Sequence, residues 1–198
     1  MIIRRAQFII SLDALKDYPG RGLPEIAMVG KSNVGKSSMI NRLTNNGKLA
    51  RISAEPGKTR LINLFSLNDQ LILVDLPGYG FARVSREEKN RWGSMIEGYL
   101  SRSETLKKAL MLVDMRHAPT ADDVTMIGYL RHYQIPFQVI ATKADKLSRA
   151  ERGRSLPVIC RTLAVQPWQV TPFSSEDGTG REQVLAMFDE LLPPSAEE

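Results

Sequence analysis

Eight consecutive residues carry the strongest chemical signal in the chain: Gly30-Lys31-Ser32-Asn33-Val34-Gly35-Lys36-Ser37. They follow a short apolar run and precede a helix-like one, the setting that a phosphate-binding loop of the form G-x-x-x-x-G-K-[ST] requires. The two glycines let the backbone curl so that successive N–H groups point inward at phosphate oxygens, and the following helix adds the positive end of its dipole. Lys36 then places a charge on the β and γ phosphates, and the Ser37 hydroxyl can ligate magnesium.

Three more segments extend that chemistry. Asp75-Leu76-Pro77-Gly78 closes the apolar run Leu71-Ile72-Leu73-Val74. A carboxylate there can hold magnesium and the Gly78 N–H can meet a γ-phosphate, although Asp before Pro-Gly taken alone also reads as a turn residue. Thr59, within Gly57-Lys58-Thr59-Arg60-Leu61, can complete the metal shell only when γ-phosphate is present, which would make its segment a switch. Thr142-Lys143-Ala144-Asp145 follows another apolar run. Asp145 can accept hydrogen bonds from the ring N–H and the exocyclic amine of guanine. Adenine lacks that donor pair, so it would leave the carboxylate unmatched, a discrimination on the order of a hundredfold or more. Read alone, Asp145 is equally an N-cap on a helix-starting loop. Ser174-Ser175-Glu176 comes next in chain order, with a backbone that could touch the base carbonyl.

The elements that must hold these segments alternate. Residues 25–29 read as a strand, 35–43 as a helix, and 61–67 with 71–75 as a hairpin turning at Asn68-Asp69-Gln70. Residues 86–102 carry Trp92, Met95, Ile96, Tyr99 and Leu100 on one stripe of an amphipathic helix. Strands over 109–113, 137–141 and 168–173 alternate with helices over 121–132, 149–163 and 180–192. That order implies βαβ units, with six or seven strands in a largely parallel sheet, one antiparallel edge strand and helices on both faces. The whole of 1–192 reads as a single domain, and 193–198 as a frayed tail.

Composition sets the boundaries. With 198 residues, 42% hydrophobic and 25% charged, the chain is long enough for one well-buried core. No apolar stretch approaches the roughly 18 residues that span a bilayer, and the N-terminus lacks a signal-peptide pattern, so a cytoplasmic protein without a membrane partner is expected. The single cysteine, Cys160, sits in an apolar run and reads as a structural thiol. The two histidines, His117 and His132, have no neighbours suited to zinc. A net charge of +5 favours an anionic partner only weakly.

The four motifs occur in the order and spacing of the Ras-like GTPases. The stretch Leu73-Val74-Asp75-Leu76-Pro77-Gly78-Tyr79-Gly80-Phe81-Ala82 resembles the signature of the EngB (YihA/YsxC-type) GTP-binding family, as do Trp92, Tyr99, Asp114-Met115-Arg116-His117 and Thr142-Lys143-Ala144-Asp145-Lys146. The likeness runs from about Phe8 to Phe188. It implies a three-layer P-loop NTPase (Ras-like) fold, GTP and GDP as ligands, magnesium dependence, and GTP hydrolysis by a molecular switch. It also implies a role in large ribosomal subunit assembly and in normal cell division and septation.

Other expectations follow from the same resemblance. Tyr79 stands where Ras-type enzymes carry a water-orienting glutamine, so intrinsic turnover should be slow. Asn33 matches the loop asparagine that helps hold potassium in related cation-activated GTPases, or else is a turn-stabilising amide. Thr142 replaces a common asparagine, at a cost of about 1 kcal/mol in base binding. Lys36, Thr59, Gly78 and Asn33 are thus the candidate catalytic residues, and Ser37, Thr59 and Asp75 the candidate metal ligands.

Basic residues crowd both switch segments: Lys48, Arg51, Lys58 and Arg60 in the first, Arg83, Arg86, Lys89 and Arg91 in or beside the second. Glu55, Glu87 and Glu88 partly offset them. On one face they would bind ribosomal RNA in a salt-sensitive way; otherwise they form a solvated surface with paired charges. No DNA partner is expected, and a monomer is the default. Two rival readings remain: a P-loop kinase of small molecules, which should lack the Thr-Lys-x-Asp site, and a nucleotide-regulated RNA- or ribosome-binding module with vestigial hydrolysis.

Overall fold

The computed structural model describes residues 1–13, 22–50, 61–80 and 86–192, with the side chains of 86–92 and 102 outside that description. Seven strands form one sheet in the order β1-β3-β4-β2-β5-β6-β7. They are β1 (Ala6–Leu12), β2 (Glu25–Gly30), β3 (Ile62–Leu67), β4 (Leu71–Asp75), β5 (Leu106–Asp114), β6 (Phe137–Thr142) and β7 (Val170–Pro172). The helices are α1 (Lys36–Thr44), α2 (Arg86–Arg102), α3 (Ala121–His132), α4 (Arg149–Leu163) and α5 (Arg181–Asp189). β3 pairs antiparallel with β1 and with β4, while all other pairs are parallel.

Side chains alternate across the central strands, so each strand feeds two cores. Ala27, Val29, Val74, Met111 and Val139 pack beneath α2, α3 and α4 through Ile96, Tyr99, Met126, Leu130, Ile159 and Leu163. Ile26, Met28, Leu73, Leu112 and Ile140 pack against α1 and α5 through Met39, Ile40, Leu43, Val184 and Phe188. Three layers result, with helices on both faces of the sheet. The chain leaves β2 on one face and β4 on the other, which opens a crevice at the carboxyl ends of the central strands.

Two features depart in detail from the sequence expectation. The antiparallel strand β3 is flanked by an N-terminal strand, β1, which pairs outside it from Ala6↔Leu67 to Leu12↔Ile62. β7 is also shorter than expected, because residues 167–169 form a 3-10 turn that leaves Trp168 76% exposed. Cys160 is half-buried against the α2–α4 core. The tail 193–198 lies outside the described residues.

Candidate nucleotide-binding site

Gly30 ends β2, and the chain then turns over Asn33 at φ 59° and Gly35 at φ 113° before α1 starts at Lys36. The second value favours glycine, since a Cβ would be strained there. Val34 N–H donates to the Lys31 carbonyl at 3.2 Å and closes the turn. No side chain caps α1 and no acidic residue stands in its first turn. Its leading N–H groups and dipole therefore suit an anion. Lys36 and Ser37 occupy that first turn.

Asp75 ends β4 beside Met28 of β2 and is buried. Its Oδ1 lies 4.0 Å from Lys36 Nζ. Among the described residues that oxygen has no hydrogen-bond partner. Burial pushes the carboxyl above its ordinary value, against the opposing pull of Lys36 and Asn63. A buried anionic oxygen without a donor is a poor structural group and a good divalent-cation ligand. Asp75 and Ser37 therefore fit magnesium, which when bound would neutralise phosphate charge. Thr59, the third expected ligand, lies outside the described residues with Gly57, Lys58 and Arg60; Leu61 leads into β3.

Leu76 and Pro77 are buried, and Leu76 N–H donates to the Met28 carbonyl at 3.1 Å. Gly78 then passes directly over the phosphate loop. A Cβ on it would stand 2.9 Å from Ser32 Cα and 3.2 Å from Lys36 Nζ, so only glycine allows this approach. Tyr79 joins the loop through its backbone: its carbonyl accepts from Ser32 N–H at 2.9 Å and its N–H donates to the Gly30 carbonyl at 3.4 Å. Its side chain turns the other way. The hydroxyl is buried and donates to Asp123 Oδ1 at 2.6 Å, beside Met111 Sδ. Burial, and then Asp123, drive that phenol far above its ordinary pKa, and its hydrogen bond ties the segment after β4 to α3.

The base loop is braced against the phosphate loop. Thr142 Oγ1 is within donor distance of the Val34 carbonyl, 2.7 Å, and the Val113 carbonyl, 3.0 Å. Lys143, at φ 60°, reaches back to the Asn33 carbonyl at 3.1 Å and to Asp114 Oδ2 at 2.9 Å. Arg116 grips the same carboxylate with Nε at 2.9 Å and Nη2 at 2.7 Å. Burial opposes ionisation of Asp114, but the hydrogen bonds from Arg116 and Lys143 hold its carboxyl well below the usual range. Ala144 is buried, and its N–H donates to the Phe173 carbonyl at 3.0 Å.

Asp145 accepts from Ser174 Oγ at 2.8 Å and pairs with Lys146 at 3.0 Å. Burial again opposes ionisation, yet Lys146 and Ser174 lower the carboxyl pKa. The group is thus kept as the acceptor that a guanine edge needs. Ser174 Oγ also accepts from the N–H groups of Glu176 and Asp177 at 3.1 and 3.2 Å. Ser175 is half-buried and Glu176 exposed.

The structure thus brings residues 30–37, 75–78, 142–145 and 174–176 to one end of the sheet. Lys48 is exposed. Arg51, Glu55 and Arg83, and the side chains of Arg86, Glu87, Glu88, Lys89, Arg91 and Trp92, lie outside the described residues. Sequence reasoning missed Asp123 as the partner of Tyr79. The only local signal was its place three residues after Thr120, where its Oδ2 accepts from Thr120 N–H at 2.7 Å as half of a capping box.

Comparison with known proteins agrees with this geometry. A family model described as a 50S ribosome-binding GTPase matches residues 25–143. The chain is 48% identical to a probable GTP-binding protein EngB of Geobacillus thermodenitrificans, over 98% of both chains. It is 50% identical to the protein of that name from Clostridium perfringens, over 97% of this chain and 98% of the other. A crystal structure of a probable GTP-binding protein EngB superposes with TM-score 0.71 and 26% identity, covering 84% of this chain and 97% of that one.

Proposed function

Because the chain belongs to the EngB-type GTP-binding proteins, a family of GTPases, we propose that it is a slow, magnesium-dependent molecular switch of the cytoplasm. Its task in this reading is assembly of the large ribosomal subunit, with normal cell division and septation depending on it. The observation that carries the reading is a pair of carboxylates flanking one phosphate loop. Asp75 presents an unmatched buried oxygen 4.0 Å from Lys36, and Asp145 is kept ionised by Lys146 and Ser174. One suits a metal bridging phosphates, the other a guanine edge.

Slowness follows from Tyr79, whose hydroxyl is committed to Asp123. Lys36 and the Gly78 N–H bind and orient the phosphates, with Thr59 joining when γ-phosphate is present. Asn33, exposed at the loop apex, would hold a potassium ion whose charge stabilises the transition state. The description of the matching family as ribosome-binding supports the large subunit as partner. Contact through the basic switch segments suits ribosomal RNA.

Co-sedimentation with purified large ribosomal subunits, loaded with GDP or a non-hydrolysable GTP analogue across a salt series, tests this. Tighter, salt-sensitive binding with the analogue is expected; no binding in either state would remove the ribosomal role. The buried Tyr79 hydroxyl also supports a second reading, a nucleotide-regulated binding module with vestigial hydrolysis. GTP turnover in potassium with subunits present separates the two.

A further inference from the structure

We propose that the outer face of α4, together with Trp168 in the turn that follows it, is a second contact surface that binds single-stranded RNA regardless of the bound nucleotide. α4 carries four arginines, Arg149, Arg152, Arg154 and Arg161, against one glutamate. That glutamate is already engaged: Glu151 Oε2 accepts from the Ser148 N–H and hydroxyl, both at 2.7 Å. Arg154 and Arg161 are seven residues apart, two helical turns and about 10 Å along the axis, so they share one side. Val158 lies between them on that side and is 40% exposed. The stripe therefore has two cations flanking an apolar floor, and the one carboxylate of the helix, Glu151, is shared between Ser148 and Arg154.

Trp168 stands in the turn that follows the C-terminal end of α4. After α4 the chain reverses at Ala164 in a left-handed conformation and enters the 3-10 turn Pro167–Gln169, which packs against α4 and β6. Its backbone is pinned, because Gln138 Nε2 donates to the Trp168 carbonyl at 3.0 Å and Gln166 N–H to Gln169 Oε1 at 3.0 Å. The indole, 76% exposed, thus projects from a fixed base. Arg131 of α3 adds a cation at the same end, its Nη2 donating to the Leu163 and Ala164 carbonyls at 3.1 and 2.6 Å.

Spaced guanidinium groups beside a rigid exposed aromatic make the arrangement by which single strands are held: cations track phosphates and the ring stacks a base. Arginine and tryptophan also serve protein interfaces, but four arginines against one glutamate on the helix favour a polyanion. The surface lies outside the phosphate and base loops, so its affinity does not follow the nucleotide. The choice of RNA rests on the ribosomal reading above.

Anisotropy of a short fluorescein-labelled oligouridylate tests the proposal, with the full chain loaded with GDP or a GTP analogue. Equal affinity in both states is expected. Trp168→Ala should weaken binding by about tenfold, within the range of base–aromatic stacking. Arg154→Glu with Arg161→Glu should flatten the log–log salt slope by about 1.4, two phosphate contacts on a single strand. GDP affinity should not change in either variant, since these side chains are exposed and outside the site, and the double charge reversal should cost only a few degrees of melting temperature, because Arg161 stands in the last turn of α4. Wild-type oligouridylate affinity in both variants would overturn the proposal, as would binding that follows the nucleotide. If the variants lost subunit binding but kept oligouridylate binding, the face would belong to a protein and the RNA assignment would fall. Oligouridylate binding that persists while large subunits fail to co-sediment would sink the ribosomal role and leave this surface standing.

Discussion

The Thr142 hydroxyl sits 2.7 Å from the Val34 carbonyl, joining the segment proposed to read the base to the loop proposed to hold the phosphates. An asparagine at that place would add a contact to the base; the threonine serves as a brace between the two loops. Thr142→Val keeps the shape and deletes the donor, leaving the buried carbonyl poorly matched at a cost of about 1–3 kcal/mol. GDP release should therefore speed up roughly tenfold or more by that arithmetic, while the preference for guanine over adenine, which we assign to Asp145, stays. Release of a fluorescent GDP analogue after a chase measures it, and a wild-type rate would rule out the brace.

Tyr79 ties the segment after β4 to the start of α3. Its hydroxyl donates to Asp123 Oδ1 at 2.6 Å in the interior, and the other oxygen of Asp123 holds Thr120 at the start of α3. Tyr79→Phe removes a donor from a buried carboxylate and should lower unfolding free energy by about 1–3 kcal/mol. GTP turnover per folded molecule should stay within about twofold, because the lost hydroxyl points away from the phosphates. Urea unfolding and single-turnover hydrolysis give the two numbers. A large fall in turnover without loss of stability would place Tyr79 in the catalytic machinery.

Legibility in the sequence divides along sequence distance. Residues 30–37, Asp75 to Gly78 and Thr142 to Asp145 are contiguous runs at strand ends, and their chemistry can be read without knowing what lies opposite. The links from Thr142 to Val34 and from Tyr79 to Asp123 span 108 and 44 residues. They depend on which strands are neighbours, a property of register that no local pattern contains. β1 escaped notice because its apolar residues do not alternate cleanly: Phe8 and Ile10 are both exposed, with a register shift between them. Trp168 has strand-like propensity, yet Pro167 before it starts a turn instead.

Gly78 should tolerate no side chain. A Cβ would lie 2.9 Å from Ser32 Cα and 3.0 Å from Ser32 N, both backbone atoms of the phosphate loop. Gly78→Ala must push one segment off the other, an overpacking cost of about 1–3 kcal/mol. In the proposed switch the cost falls most heavily on the GTP state, in which Gly78 N–H would meet γ-phosphate. The ratio of GTP-analogue to GDP affinity should drop by about tenfold, with GDP binding itself less affected. Calorimetric titration of both nucleotides checks this, and an unchanged ratio would mean that Gly78 does not sense the γ-phosphate.

Asp75 and Asp114 should respond to acid in opposite directions. Asp114 is held below its ordinary 3.8, so the folded state binds that proton less readily than the unfolded chain. Its stabilisation is complete above 3.8 and is lost as pH falls below that value toward the folded one. Asp75 is raised above 3.8, mainly by burial. Its ionised form therefore costs stability at neutral pH, and the cost is relieved as pH falls through the folded value. Asp75→Asn should accordingly raise the melting temperature of the nucleotide-free protein at neutral pH and narrow that gain as the buffer is made acidic. The same change removes the proposed anionic metal ligand, so magnesium should no longer add to the stabilisation given by GDP. Thermal scans with and without magnesium, repeated between neutral and mildly acidic pH, read both effects. If Asp75→Asn instead lowered the nucleotide-free melting temperature, the attraction of Lys36 would outweigh burial, and the carboxylate would be a structural partner in its own right.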